Sequence, residues 1–124
     1  MKRENIVRKK SFSFALKIID LYRFLVQKRE YVLSRQILRS GTSIGANIEE
    51  AQAAVSRKDF VNKIGIASKE ARETRYWLLL LIESEFLVGY QDTSLIQNEL
   101  EEIIKILTSI VKTTRQKSEV IRKK

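Results

Sequence analysis

Apolar residues recur at alternating intervals of four and three along almost the whole chain, and no proline interrupts them. Such intervals place the apolar side chains on one face of an α-helix, because the helix has about 3.6 residues per turn. The chain has 124 residues and only four glycines, so it offers little material for turns. The pattern therefore predicts one all-α domain built from a few long amphipathic helices.

Four helices follow from this register. We expect them at about Ser11–Lys28, at Ser34–Val55, from just after Ser56 to about Phe86, and from Asp92–Ser94 to about Thr113. Their short connections predict an antiparallel up-down-up-down four-helix bundle. Residues 11–113 would form this bundle, residues 1–10 a basic N-terminal arm and residues 114–124 a basic C-terminal tail.

The stretch SGTSIGANIEEAQAA, residues 40–54, holds two glycines and many small side chains. A phosphate-binding loop is one reading, but the stretch lacks the lysine of a P-loop and follows no predicted strand. The apolar register of the second helix passes through it unbroken. We interpret it as a helix kept thin so that a neighbouring element packs closely, with the contact at Gly41, Ser43, Gly45 and Asn47.

The run YWLLLLI, residues 76–82, places seven large apolar residues in succession within the predicted third helix. Seven residues go nearly twice round a helix, whereas one bundle core covers only part of that circumference. The remainder would form an exposed apolar patch, which is typical of a protein interface. We expect self-association through Tyr76, Trp77 and Leu80; the alternative is that long basic side chains, or the connection between the first and second helices, cover the patch within the monomer.

The chain carries a net charge of +9, and its basic residues concentrate at the two ends. Residues 1–40 have eleven basic and three acidic side chains, residues 41–111 seven and eleven, and residues 112–124 six and one. An up-down-up-down bundle brings both ends to one pole, beside the connection between the second and third helices. A concentrated basic pole is typical of phosphate binding, although it could also serve solubility alone. The candidate phosphate contacts are Lys9, Lys10, Arg57, Lys58, Lys112, Arg115 and Lys117, with Lys63, Arg72 and Arg75 as second candidates.

The chain has no histidine and no cysteine, so no Ser-His-Asp or Cys-His arrangement can form. Glu49, Glu50, Glu70 and Glu73 suggest a di-iron carboxylate bundle, but that site also uses Glu-x-x-His motifs. We therefore expect no enzymatic activity, no catalytic residue, no metal or other cofactor and no small-molecule substrate. No apolar run is long enough to span a membrane and the start does not resemble a secretory signal, so we expect a cytoplasmic protein without a membrane partner.

The segments SRQILRSGTSIGANIEEAQAA, SRKDFVNKIGIASKEARETRYWL and ELEEIIKILTSIVK together resemble the bacterial four helix bundle protein family. Its members include proteins encoded in intervening sequences of large-subunit ribosomal RNA genes, some labelled ribosomal protein S23. The resemblance covers residues 10–113 and implies a homopentamer with a central channel. It also implies kinship with the accessory variability protein of diversity-generating retroelements, a basic pentamer that binds nucleic acid and a reverse transcriptase.

Two functional hypotheses follow. The first is a non-enzymatic, oligomeric protein that binds RNA or DNA through phosphates, with little sequence specificity because few aromatic side chains are available to stack on bases. The alternative is a protein-interaction scaffold whose basic pole docks an acidic partner such as a reverse transcriptase or an RNA-processing enzyme.

Overall fold

The structure, a computed structural model, describes the backbone of residues 2–123 and the side chains of residues 2–117. Its helices are α1 (Lys2–Gln27), α2 (Leu33–Gln52), α3 (Arg57–Glu83) and α4 (Thr93–Lys123), and the described residues contain no β-strand. Each helix packs against its neighbours in the chain, and α4 closes the ring against α1. The predicted all-α, up-down-up-down four-helix bundle is confirmed.

The apolar stripe of each helix forms the core. The 4-3 spacing of apolar residues defines one stripe on each helix, and the following members of the stripes are buried: Phe14, Ile18, Leu21 and Leu25 on α1, Ile37, Ile44 and Ile48 on α2, Ile64, Ala67, Ala71, Leu78 and Leu81 on α3, and Ile96, Leu100, Ile103, Leu107 and Ile110 on α4. Two members of the stripes differ: Phe60 of α3 is only partly buried, and Val55 lies beyond the end of α2 and is 94% exposed. The 4-3 spacing therefore identified the buried face of every helix.

α1 begins at Lys2, so the prediction that it starts at Ser11 and is preceded by a separate arm is wrong. The buried stripe continues backward from Phe14 through Ser11 to Val7, and both are almost completely buried. The guanidinium of Arg3 also donates a hydrogen bond to Ser109 of α4. Residues 2–10 are therefore part of the bundle; Met1 lies outside the described residues.

α4 continues to Lys123 rather than ending near Thr113. Among the described side chains of α4, Ile110 is the last that is buried, and the residues that follow it include no glycine or proline to stop a helix. Arginine, glutamine and lysine have high helix propensity, so the helix continues past Ile110. The predicted tail thus starts as helix; Lys124 lies outside the described residues.

α1 and α3 end in Schellman motifs built without glycine. After α1, Arg29 adopts a positive φ of 63°, and the Glu30 N–H donates to the Leu25 carbonyl at 2.9 Å. After α3, Glu85 has a φ of 67°, and the Phe86 N–H donates to the Leu81 carbonyl at 3.0 Å. α3 therefore ends at Glu83, and Gly89 lies in the connection to α4 with a φ of 87°.

α1 and α2 approach closely at Gly41 and Gly45. A Cβ atom added to Gly41 would lie 2.9 Å from both Cγ atoms of Ile18, and one added to Gly45 would lie 3.4 Å from Ser11 Oγ. The small residues thus leave room for α1. Ser43 and Asn47 instead hydrogen-bond carbonyls of their own helix, those of Arg39 and Ser43 respectively.

Candidate nucleic-acid interface

The topology gathers one end of each helix at a single pole. The start of α1, the end of α2, the start of α3 and the end of α4 all lie there, because consecutive helices run in opposite directions. This basic pole carries most of the predicted phosphate contacts, and the structure distributes them over three faces of the bundle.

A groove of about 500 Å³ runs between α3 and α4 near the basic pole. Four cationic side chains line it: Lys69 and Arg72 from α3, and Lys112 and Arg115 from α4. A second hollow continues the groove toward the start of α3, shares Gly65, Lys69 and Arg115 with it, and adds Lys58. We call the two together the α3–α4 groove.

None of these five cations has a carboxylate partner among the residues whose side chains are described. One acidic residue, Asp59, also lines the groove, and its backbone N–H donates to Ser56 Oγ at the start of α3. The excess of positive charge within one concave surface favours an anionic ligand, since opposite charges attract more strongly in a cleft than on a flat surface.

Between its charged residues the groove is lined by uncharged side chains, which include the amides of Asn62 and Gln116. Ser68 and Thr108 supply hydroxyl groups, whereas Val61, Ile66 and Val111 supply aliphatic surface. Gly65 lies in mid-helix, where glycine costs about 1 kcal/mol relative to alanine. A Cβ atom added to Gly65 would meet nothing within 4 Å, so nothing in the described chain accounts for this glycine.

Of the ten predicted phosphate contacts, the α3–α4 groove brings together four: Lys58, Arg72, Lys112 and Arg115. Arg57 and Lys117 line a neighbouring hollow beside Phe60 and Glu4. Lys9 lies on the other side of the bundle, in a hollow of the α1–α2 face with Arg8, Phe12 and Glu49. Lys63 is partly buried on α3 and lines none of these hollows.

The remaining two candidates are engaged in ion pairs between helices. Lys10 donates to Glu102 of α4 at 2.7 Å, and Arg75 donates to Glu101 of α4 at 3.2 Å. The hydrogen bond from Lys10 lowers the pKa of Glu102 below its usual range. These side chains would have to leave a carboxylate before binding a phosphate, so they are weaker candidates than the groove cations.

Arg8, also at the basic pole, is similarly engaged. Its guanidinium makes a two-point contact with the Glu49 carboxylate at 3.0 and 3.1 Å, and this hydrogen bonding lowers the pKa of Glu49. Between α2 and α3, the guanidinium of Arg39 donates hydrogen bonds to the carboxylates of both Glu70 and Glu73. The acidic residues in mid-bundle thus bind arginines across helix pairs, and no group of three or more acidic side chains able to hold a metal occurs among the described residues.

At the opposite pole, Tyr90 connects the segment between α3 and α4 to α1. Its hydroxyl donates to Asp20 of α1 at 2.6 Å, and its ring contacts that of Phe24 with a centroid distance of 4.8 Å. Burial, followed by the hydrogen bond to Asp20, raises the pKa of Tyr90. These contacts connect the α3–α4 connection to α1 at this pole.

The apolar run on α3 is only partly covered by the bundle. Tyr76, Leu79 and Leu80 are 58%, 47% and 36% exposed. Trp77 is half-buried instead, and its indole N–H donates to Glu73 at 3.0 Å. We call Tyr76, Leu79 and Leu80 the α3 patch. Of the three predicted interface residues, Trp77 is the one that already has a hydrogen-bond partner within the monomer.

A second apolar patch lies on α1. Phe12 and Leu16, one helical turn apart, are 68% and 56% exposed. We call this pair the α1 patch. Because α1 and α3 lie diagonally across the bundle, the two patches lie on different sides of the protein. The α1 patch was not predicted from the sequence. It could have been, because two large apolar residues that are four apart and lie outside the buried stripe indicate an exposed apolar surface on one helix face.

A family model of the 23S rRNA-intervening sequence protein matches residues 3–109. The chain belongs to this family. A crystal structure from Bacteroides thetaiotaomicron, described as a protein of unknown function from the S23 ribosomal protein family, is similar to it with 54% identity and a TM-score of 0.84. That alignment covers 89% of the present chain and 98% of the other. No curated protein sequence matches significantly. The resemblance inferred from the sequence is confirmed.

Within the chain, the family match ends before the cations that α4 contributes to the groove. Lys58, Lys69 and Arg72 fall inside the matched region, whereas Lys112 and Arg115 follow it. Lys69 was not among the predicted contacts, although Lys58, Gly65, Lys69 and Arg72 are spaced seven, four and three apart and so share one helix face. None of the described helices is long and apolar enough to cross a membrane.

Proposed function

We propose that this family member is a non-enzymatic, cytoplasmic nucleic-acid-binding protein that acts as a homo-oligomer and contacts phosphates with little sequence specificity. The observation that carries this proposal is the α3–α4 groove, in which five cations from two helices converge without acidic partners among the described side chains. Lysine and arginine side chains on a concave surface are the usual means of holding a phosphate backbone.

The lining of the groove supports recognition of phosphates rather than bases. No aromatic side chain lines it, so bases have no ring on which to stack. The hydroxyls of Ser68 and Thr108 and the arginine guanidinium groups are suited to phosphate oxygens. Affinity would therefore come mainly from charge and would fall steeply with salt.

The proposed self-association is supported by the α1 and α3 patches. Because they lie on different sides of the bundle, the α1 patch of one copy could meet the α3 patch of the next, a head-to-tail contact that closes into a ring when the rotation permits. The family resemblance implies five copies. A ring would present several α3–α4 grooves at once, and several weak sites binding one polymer raise the overall affinity.

Salt-dependent binding tests the nucleic-acid proposal. We expect the Arg72→Gln/Lys112→Gln variant to bind a labelled mixed-sequence RNA more weakly than the wild type. The logarithm of the binding constant decreases as the logarithm of the salt concentration rises. The magnitude of this negative slope should decrease by about one for each lost phosphate contact. Fluorescence anisotropy at several salt concentrations measures both quantities.

The matched control is Arg23→Gln/Arg35→Gln, which removes the same charge from two exposed arginines away from the groove. It should leave the slope unchanged. Equal slopes in the two variants would show that the groove plays no special part, and no binding by the wild type even at low salt would refute the proposal.

Self-association is tested by sedimentation of a Tyr76→Glu/Leu80→Glu variant. Both side chains are exposed, so the charges should leave the monomer folded while dissociating the oligomer. Phe12→Glu/Leu16→Glu should act in the same way if the two patches meet. A folded variant with the mass of the wild-type assembly would place the interface elsewhere.

The scaffold hypothesis has one observation in its favour, namely that Phe12 of the α1 patch lies beside Lys9, which has no carboxylate partner among the described side chains. An apolar side chain beside such a cation suits an acidic protein partner, such as a reverse transcriptase or an RNA-processing enzyme. Capture of such a partner in a pull-down that survives nuclease treatment, with loss of capture in Phe12→Ala, would favour this second function.

A further inference from the structure

Gly65 differs from the other two glycines within helices. Gly41 and Gly45 face Ile18 and Ser11 of α1, so their missing side chains make room for a neighbouring helix. Gly65 faces open space, because a Cβ atom added there has no neighbour within 4 Å. Glycine weakens a helix interior, and the described chain gains no packing from it. The space above Gly65 is therefore suited to an occupant from outside the chain.

The position of Gly65 indicates what kind of occupant would fit. It lines both sections of the α3–α4 groove, with Lys58 toward the start of α3 and Lys69 and Arg72 toward its middle. Arg115 lines both sections from the opposite wall. An occupant lying over Gly65 would thus be surrounded by cations from two helices. Charge complementarity favours a polyanion over a second copy of this basic chain.

We propose that the α3–α4 groove is a binding site for single-stranded nucleic acid, whose backbone runs along α3 and passes over Gly65. This inference rests on the proposed function and specifies its substrate class. Lys58 and Arg72 are 14 residues apart on α3, which corresponds to about 21 Å at 1.5 Å per residue. A flexible strand of a few nucleotides can follow that length and place phosphates against cations on both walls.

A duplex fits this groove less well. Two packed helices have axes about 8–10 Å apart, so the hollow between them is narrower than a nucleic-acid duplex. A duplex would touch only the rims of the groove and leave Gly65 uncovered. A single strand can enter, and its sugars and bases can then contact the aliphatic surface of Val61, Ile66 and Val111.

The test fills the groove without changing the charge. The Gly65→Leu variant places a side chain in the open space, where no atom of the described chain lies within 4 Å of the new Cβ atom. We expect it to bind a labelled 15-nucleotide single-stranded RNA at least ten-fold more weakly than the wild type. Its affinity for the same RNA annealed to its complement should change less than two-fold. The wild type should prefer the single strand by at least ten-fold at equal salt.

Ala46→Leu is the matched control, because Ala46 is exposed on α2, away from the groove. It should bind both RNAs like the wild type. Gly65→Ala is the second variant, and it should fold at least as stably as the wild type because alanine favours the helix. We expect it to lose part of the single-strand affinity, so the inference can be tested even if the leucine variant misfolds.

The outcomes separate this inference from the proposed function. Absence of binding to either RNA by the wild type would refute both. Equal or tighter binding of the duplex, or a Gly65→Leu variant that binds the single strand normally, would overturn the single-strand inference and leave the proposed function standing. If Gly65→Leu instead changed the sedimenting mass and left RNA affinity intact, the groove would be an interface between copies.

Discussion

Replacing Leu81 with alanine is expected to lower the free energy of unfolding by about 2–5 kcal/mol. Leu81 is completely buried on the core face of α3, so the change leaves a cavity that the surrounding side chains fill only in part. The same replacement at Leu79, which is 47% exposed, should cost about 1 kcal/mol or less. Denaturant unfolding monitored by circular dichroism measures both.

Leu79 is a close control, because the two leucines lie two residues apart in the same helix. The change in helix propensity is therefore equal and cancels in the comparison. Equal losses at both positions, independent of protein concentration, would contradict the packing described above. A loss at Leu79 that grows with protein concentration would show that self-association buries the α3 patch, because oligomer stability depends on concentration.

The core could be predicted from the sequence because burial and helical period are directly linked. Every apolar residue placed in the α4 stripe, from Ile96 to Ile110, is buried. The same reasoning showed that the run from Tyr76 to Ile82 could not be buried on all sides. It did not show which residues turn outward: Leu79 is more exposed than Leu80, and Trp77 is held by Glu73.

Helix boundaries were harder to predict, because the residues that decide them break the simple rules. Ser11 is buried but polar, so the apolar stripe that the sequence predicts begins at Phe14 and leaves out Val7, which is also buried. Val55 is apolar but lies outside α2. Arg29 and Glu85 adopt the left-handed conformation that glycine usually supplies, and neither residue type signals a helix end.

The basic pole followed from topology, whereas the groove within it required the structure. Lys10 and Lys112 look equivalent in the sequence, yet Lys10 bonds to Glu102 and Lys112 lines the α3–α4 groove. Which cation meets a carboxylate depends on the rotation and axial offset of each helix. Those quantities are set by the packing of whole side chains, such as Ile18 against Gly41, rather than by the spacing of apolar residues.

Replacing Gly41 with leucine is expected to destabilise the bundle by about 3 kcal/mol or more, because it overpacks the contact between α1 and α2. Even the first added carbon would lie 2.9 Å from two atoms of Ile18. Ile18 is fully buried, and its β-branched side chain has few alternative rotamers, so it cannot move aside. The helices must separate instead, which loosens the neighbouring core. Thermal and denaturant unfolding would detect the loss.

The same substitution by alanine at two positions isolates this steric cause. Gly41→Ala gains helix propensity, worth about 1 kcal/mol, but still clashes with Ile18, so a net loss of stability is expected. Gly45→Ala gains the same propensity, and its nearest neighbour, Ser11 Oγ, lies 3.4 Å away, within ordinary contact. It should be neutral or stabilising. If Gly41→Ala proved stabilising, α1 and α2 would have to lie farther apart than in this structure, where the new Cβ atom would be only 2.9 Å from Ile18. Only a wider separation leaves room for the methyl group.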